Sequence, residues 1–309
     1  MKQRVVITDW GFPSLDPEKK VFGSLGVELK DYQCKTEEDV AAAAADADVL
    51  LVQWAPVKRK ALDALKKCKG IVRYGIGLDN IDLVGAKEKG IPVRNVPDYC
   101  LHEVADHAMS LALSLQRQVV QVDRLVRTGV WKITPPQAMP PLRYSVLGLV
   151  GFGRIAQLVA ARAKGFEIKV IASDPFVPQN VFDTMGVQKV SVDELLKAAD
   201  VVSLHCPLTD ETRHLINADS LKKMKGHALL VNTSRGGLID TGALVEALNH
   251  NVIAGAGLDV FEQEPLPLES DLYKSSNVVI TSHNAWYSSA SVGELQRRAA
   301  LAAVELLGT

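Results

Sequence analysis

Val146-Leu147-Gly148-Leu149-Val150-Gly151-Phe152-Gly153-Arg154-Ile155-Ala156 is the stretch whose reading decides the fold. Val146 to Val150 is a short apolar run of the kind that forms a parallel strand covered on both faces, and Arg154 onward carries the pattern of the helix that leaves it. Gly151 permits the tight strand-to-helix turn, Gly153 lets a diphosphate approach the backbone, and Ala156 takes the third small position, where helix packs against strand. The helix N-terminus offers N–H groups and a favourable dipole to an anion. A second strand, Ile168 to Ser173, leads to Asp174 about twenty residues on, where a carboxylate can bond both hydroxyls of a ribose and repels a 2′-phosphate. Strand, glycine turn, helix, strand and acid in that order predict a dinucleotide site, with NAD favoured over NADP.

The turn lies mid-chain, so sequence on both sides of it is expected to build a second domain. A chain of 309 residues, 47% hydrophobic and 23% charged, is long enough for two domains of ordinary globular composition. Its net charge of −1 makes no electrostatic case for nucleic acid or an anionic membrane as a partner. The N-terminal apolar run is too short for a signal peptide, and no later run reaches membrane-spanning length, so the expected location is cytoplasmic. Cys34, Cys68, Cys100 and Cys206 are scattered without metal-ligand spacing and read as reduced thiols, with no metal expected.

Strand-like runs alternate with helical patterns along the whole chain, which predicts an α/β fold of parallel sheets. A first block holds strands over Arg4 to Thr8, Val49 to Gln53, Ile71 to Tyr74 and Pro92 to Asn95. Helices fall at Glu37 to Ala45, capped by Thr36, and at Ile81 to Lys89, closed by Gly90. One long amphipathic helix is expected from Cys100 to about Thr128, followed by an irregular proline-rich loop over 134–141. A second block supplies six strands: Ser145 to Val150, Ile168 to Ser173, Val201 to His205, Ala228 to Thr233, Ala254 to Leu258 and Val278 to Ser282. A last helix, Ala290 to Leu307, has no domain of its own and is expected to pack on the first block. The division predicted is 1–99 with 285–309 as a substrate domain and 100–284 as the cofactor domain.

Ligands of open α/β sheets bind beyond the carboxyl ends of the strands, so polar residues there have first claim as site residues. Arg235 follows one strand of the second block, Asp259 and Glu264 follow the next, and His283 ends the last. Beside a nicotinamide this set suits one reaction. Hydride transfer to a 2-oxo acid puts negative charge on the carbonyl oxygen, which then needs a proton. An imidazole, with an ordinary pKa of about 6.5, is suited to supply it as His283. Glu264 would orient the ring and favour its charged form, and the Arg235 fork would hold the substrate carboxylate or carbonyl. The small-molecule partner expected is therefore a 2-oxo acid or 2-hydroxy acid.

At these residues the chain resembles the D-2-hydroxy-acid dehydrogenases, the family that includes phosphoglycerate dehydrogenases, glyoxylate reductases and the NAD(H)-binding C-terminal-binding proteins. The resemblance runs through Arg73-Tyr74-Gly75-Ile76-Gly77-Leu78-Asp79-Asn80-Ile81-Asp82, Asn95-Val96-Pro97, Glu103-Val104-Ala105-Asp106-His107, the glycine turn and Leu204-His205-Cys206-Pro207-Leu208-Thr209. It continues through Asn232-Thr233-Ser234-Arg235-Gly236-Gly237, Asp259-Val260-Phe261, Glu264-Pro265 and His283. It implies a Rossmann NAD-binding domain inserted into a smaller flavodoxin-like doubly wound domain. It also implies Arg235, Glu264 and His283 as the catalytic trio, and Asp259 against the nicotinamide amide. Val104, Gly151, Gly153, Arg154, Ile155, Asp174, His205, Cys206, Pro207, Thr212, Thr233 and Ser234 are then expected around NAD. Substrate contacts are expected from Trp54, Arg73, Tyr74, Gly75, Ile76 and Gly77 together with Arg235, His283 and Trp286. The segment His283-Asn284-Ala285-Trp286-Tyr287-Ser288 is most similar to the C-terminal-binding-protein branch, where the tryptophan lines the substrate pocket; Ser282 departs from the proline common before the family's histidine. A homodimer is implied as well.

Plainer readings compete at several positions. Glu262, next but one to Glu264, reads as a solvated loop residue. His107 reads as structural and His205 as a lining of the cofactor pocket. Lys58-Arg59-Lys60 reads as a solvated face, with a substrate phosphate as its functional alternative. The rival for the whole chain is a binding module in which NADH closes the domains and creates a surface for a partner protein.

Overall fold

The computed structural model describes residues 2–135 and 140–308, so residues 136–139 of the expected 134–141 loop lie outside the described residues. The chain divides into two compact units, Met1–Cys100 with Tyr287–Thr309, and Leu101–Trp286.

The first unit runs β1 (Arg4–Ile7), α1 (Asp16–Gly23), β2 (Glu28–Asp31), α2 (Glu37–Ala44), β3 (Val49–Val52), α3 (Arg59–Ala64), β4 (Gly70–Arg73), α4 (Leu83–Glu88) and β5 (Val93–Arg94). Its sheet has the order β2-β1-β3-β4-β5 and every pairing is parallel. Val49–Val52 is buried at all four positions, as a strand covered by helices on both faces must be. Thr36 and Asp39 close a reciprocal capping box at the start of α2, which satisfies two N–H groups that the helix itself leaves open. The edge strand β2 has no fully buried residue; its Glu-Leu-Lys-Asp sequence carries no apolar run for sequence reasoning to find.

The second unit begins with α5 (Leu101–Gln116) and α6 (Val119–Arg127), and continues through β6 (Val146–Val150), α7 (Arg154–Gly165), β7 (Lys169–Ser173), α8 (Gln179–Met185), β8 (Gln188–Lys189), α9 (Val192–Ala198), β9 (Val201–Leu204), α10 (Ala218–Lys223), β10 (Leu229–Asn232), α11 (Thr241–Asn249), β11 (Gly255–Leu258) and β12 (Val278–Ile280). A final helix, α12 (Ser289–Leu307), belongs to the first unit, where it packs on α1, β3 and β4.

The second sheet has the order β12-β11-β10-β9-β6-β7-β8, all parallel, one short edge strand more than the six expected. Alternate residues of each strand point to opposite faces and feed two cores. Leu147, Leu149 and Val231 pack with α5 and α7 on one face; Val150, Val202, Leu204 and Leu230 pack with α9 and α11 on the other. The strand order reverses between β6 and β9. Their carboxyl ends therefore flank the switch point at which this sheet type binds its ligand.

One expectation is overturned. The amphipathic pattern from Cys100 to Thr128 is two helices, broken at Gln118, which adopts a left-handed φ of 52° and is 4% exposed. An apolar period of 3.6 continues across such a break, so periodicity reads through it. No helix among the described residues is long and apolar enough to cross a membrane.

Candidate active site

The glycine turn takes the geometry that its sequence demands. Gly151, at φ +88°, donates its N–H to the Ser173 carbonyl at 2.8 Å, and a Cβ there would stand 2.7 Å from the Cys206 nitrogen. Only glycine meets both conditions. Gly153 caps α7, and nothing lies within 4 Å of where its Cβ would be, so the backbone is open to a ligand above the helix N-terminus. Arg154 and Ile155 open that helix. Asp174 is oriented by three amides: Phe152 N–H donates to Oδ2 at 2.8 Å, and Phe176 and Val177 N–H donate to Oδ1 at 2.8 and 3.1 Å.

The loops after β9 and β10 close the other side of the cradle. Ser234 Oγ donates to the Cys206 carbonyl at 2.6 Å, and Thr212 Oγ1 donates to the Pro207 carbonyl at 2.7 Å. His205 Nε2 lies 2.9 Å from Ser203 Oγ; burial lowers its pKa to about 4, so the ring is neutral at pH 7. Burial raises the Cys206 thiol to about 11. The Thr233 hydroxyl is buried and has no hydrogen-bond partner among the described residues. A buried hydroxyl awaiting a partner, an open glycine at a helix N-terminus and an amide-held carboxylate fit a dinucleotide. Val104 sits buried on α5 in the same unit.

Arg235, Glu264 and His283 stand on three loops of this unit. Asn232, fully buried at the end of β10, clamps the Arg235 turn from both sides, accepting from Ser234 N–H at 3.0 Å and donating Nδ2–H to the Arg235 carbonyl at 2.8 Å. Gly236 packs so tightly on the next loop that a Cβ would lie 1.8 Å from the Phe261 carbonyl carbon. Glu264 Oε1 accepts from Phe261 N–H at 2.9 Å, and its Oε2 lies 2.6 Å from His283 Nδ1. Burial by itself raises the Glu264 pKa, but the bond and charge of His283, with Arg235 adding its charge, outweigh it and hold the carboxyl below its ordinary range. Both side chains of the pair remain 35% exposed and accessible to a substrate. Trp286 Nε1–H donates to the His283 carbonyl at 2.8 Å, which sets its indole beside the histidine turn.

Asp259 is 0% exposed, and its carboxylate serves the turn that bears His283, accepting from Thr281 Oγ1 at 2.5 Å and from Asn284 and Ala285 N–H at 3.0 Å each. A carboxylate so engaged is a builder of the site. Glu262 is an exposed loop residue, as expected, and there it lies 2.6 Å from His214 Nε2 and accepts from Thr241 N–H at 2.9 Å, at the start of α11. Sequence reasoning misses Asn232, which reads only as part of the motif around Arg235, and the partners of Asp259, whose bonds run from the end of β11 to the loop after β12.

The remaining candidates lie in the first unit. Trp54, 51% exposed, follows β3, and its N–H donates to the buried Asp9 carboxylate at 2.6 Å. Arg73 ends β4 with its guanidinium lying over Gly75. Asn95 Nδ2–H donates to the Ile76 carbonyl at 2.6 Å and Val96 N–H to that of Gly75 at 3.0 Å, which holds the loop to Gly77 in place. The Tyr74 ring is 1% exposed and its hydroxyl donates to the buried Glu18, which leaves its backbone as the part that can meet a ligand. In the basic run, Lys58 donates to the Asp79 carbonyl, Arg59 pairs with Glu88 and Asp63, and Lys60 pairs with Glu38.

Residues 109–285 match the family described as D-isomer specific 2-hydroxyacid dehydrogenase, NAD binding domain. A glyoxylate reductase of Korarchaeum cryptofilum is 40% identical over 284 residues, covering 90% of this chain and 84% of that protein. A D-3-phosphoglycerate dehydrogenase of Methanocaldococcus jannaschii is 39% identical over 298 residues, 96% of this chain but 55% of that longer protein. The D-lactate dehydrogenase of Aquifex aeolicus, solved with NAD and lactic acid, superposes with a TM-score of 0.89 at 27% identity, covering 98% of this chain and 95% of that one. With the glycine cradle on β6 and a histidine–glutamate pair beyond β11 and β12, these likenesses identify the chain as a member of the D-isomer-specific 2-hydroxyacid dehydrogenase family, an NAD-dependent oxidoreductase interconverting 2-oxo acids and D-2-hydroxy acids.

Proposed function

We propose that Arg235, Glu264 and His283 carry the chemistry, and that the substrate is a small, unphosphorylated 2-oxo acid such as glyoxylate. Bound NADH supplies the hydride that the carbonyl carbon receives. His283 supplies the proton to the carbonyl oxygen: with Nδ1–H committed to Glu264, Nε2 is the ring atom that gives up its proton, and the imidazolium becomes a neutral imidazole. In the reverse direction the neutral ring takes the hydroxyl proton through the same atom. Glu264 keeps its charge beside the ring and stabilises the imidazolium form. The Arg235 fork binds the substrate carboxylate or carbonyl and stabilises charge developing on the oxygen. From the first unit, Arg73 and the Ile76 and Gly77 amides are assigned to the substrate carboxylate, with Trp54 and Trp286 as selectors of its side chain. Thr233, Ser234, Asp174 and the Gly151 to Ile155 turn are assigned to NAD.

The observation that carries this reading is the 2.6 Å contact between His283 Nδ1 and a Glu264 carboxyl that also feels Arg235. A small substrate is supported by the basic run of the first unit, whose Arg59 and Lys60 are spent on carboxylates. The test is NADH absorbance over a panel of glyoxylate, pyruvate, hydroxypyruvate, phosphohydroxypyruvate and 4-methylthio-2-oxobutyrate. Glyoxylate is expected to turn over well and the phosphorylated acid poorly. Arg235→Ala and His283→Ala should each lower kcat by about 10² to 10⁴, the usual cost of losing such a group. Turnover within threefold of wild type in either variant would rule out its role. The working form is assigned as a homodimer, supported by an uncovered apolar stretch in and after α6.

A further inference from the structure

We propose that His107 is a positioning residue for the catalytic histidine: from α5 it clamps the turn, residues 281–285, that presents His283. The inference rests on the reading of His283 as the proton donor. His107 Nε2 stands 2.9 Å from Thr281 Oγ1 and 3.6 Å from Asp259 Oδ1, and Thr281 Oγ1 stands 2.5 Å from that same Asp259 oxygen. A carboxylate only accepts, so the Thr281 hydroxyl donates to Asp259 and receives its own hydrogen bond from His107, which places the His107 proton on Nε2.

Asp259 then passes the constraint to three consecutive residues. Its carbonyl accepts from His283 N–H at 2.7 Å, Oδ1 from Asn284 N–H at 3.0 Å and Oδ2 from Ala285 N–H at 3.0 Å. His283 needs such a hold. It sits at φ +55°, a left-handed conformation that side-chain-bearing residues keep only where their surroundings over-determine it. Without His107 the Thr281 hydroxyl turns away, the buried Asp259 loses the orientation of its first donor, and the turn relaxes. The His283 ring then leaves its 2.6 Å contact with Glu264.

The test compares His107→Leu, which removes the donor, with His107→Gln, which keeps an N–H at similar reach. His107→Leu is expected to lower kcat for 2-oxo acid reduction by about tenfold or more, since small misplacements of a reacting group cost up to about 10²-fold. The Kd for NADH and the melting temperature should stay near wild type. His107→Gln should recover most of the loss, and Thr281→Val should reproduce it. The double variant should be no worse than either single one, as members of one chain of contacts behave. Hydrogen exchange should quicken over residues 281–286 and not over β11. Wild-type kcat in His107→Leu, or a loss shared equally by kcat, NADH binding and melting with no recovery by Gln, overturns the proposal. A parallel His283→Ala measurement separates the causes: if that variant stays inactive, only the clamp has failed, and if it remains active, the role of His283 fails first.

Discussion

Glu18 shows what a single buried charge does to this protein. It is 0% exposed, takes the Tyr74 hydroxyl at 2.8 Å on Oε1, and takes Gln296 Nε2–H at 2.9 Å on Oε2, joining α1, the end of β4 and α12. Burial raises its pKa above the ordinary 4.5, and the bonds from Tyr74 and Gln296 only partly offset this. A carboxyl whose folded pKa is raised stabilises the fold fully below its unfolded pKa, and that contribution is lost as pH rises through the folded value. Glu18→Gln removes the charge and keeps an acceptor for Tyr74. The variant should therefore melt higher than wild type at pH 8, and the gap should close toward pH 4.5. Thermal melts across that range check it; curves that stay parallel would show that Glu18 does not titrate with folding. Tyr74 also marks a limit of sequence reading. Arg73-Tyr74-Gly75 is recognisable as a motif, but which side chain turns into the core depends on α1 and α12, remote in sequence.

Among elements, the roles proposed for Arg235 and Glu264 require the loops after β10 and β11 to approach each other. Gly236 permits it: the Phe261 carbonyl carbon and oxygen would lie 1.8 and 2.1 Å from an added Cβ, and backbone cannot step aside as a flexible side chain can. Gly236→Ala should push the two loops apart, lowering kcat by about tenfold or more and stability by about 1–3 kcal/mol, the usual cost of overpacking. Initial rates and urea unfolding measure both, and a variant with wild-type kcat would show that the approach is not required. This contact was silent in the sequence, where Arg235-Gly236-Gly237 reads as a turn. What was legible follows from local chemistry: β6 and its glycine turn, the Thr36 cap of α2, and the strand-end placement of Arg235, Glu264 and His283. What escaped depends on distant partners. The partner of the exposed Glu262, His214, is remote in sequence, and β2 and β8 are strands because a neighbour pairs with them, not because their residues demand it.

For the whole molecule, the break at Gln118 has a consequence. It ends the buried helix α5 and starts α6, none of whose residues is fully buried despite Val119, Val120, Val122, Leu125 and Val126. The apolar surface continues past the helix, with Trp131 81% exposed and Ile133 94% exposed. Scattered exposed apolar residues need no explanation, but a run of them on one helix and the segment after it is the surface that the proposed homodimer would cover. In the proposed homodimer a two-fold axis would pair the patch with itself and leave no new apolar surface. Light scattering should therefore give twice the chain mass of 33.5 kDa at micromolar concentration. Trp131→Ser combined with Ile133→Asp places a charge in that contact and should shift the particle toward 33.5 kDa, with NADH still bound because neither residue belongs to the glycine cradle. A wild-type chain that scatters as a monomer, or a double variant that stays dimeric, would remove α6 and its following segment as the self-association surface.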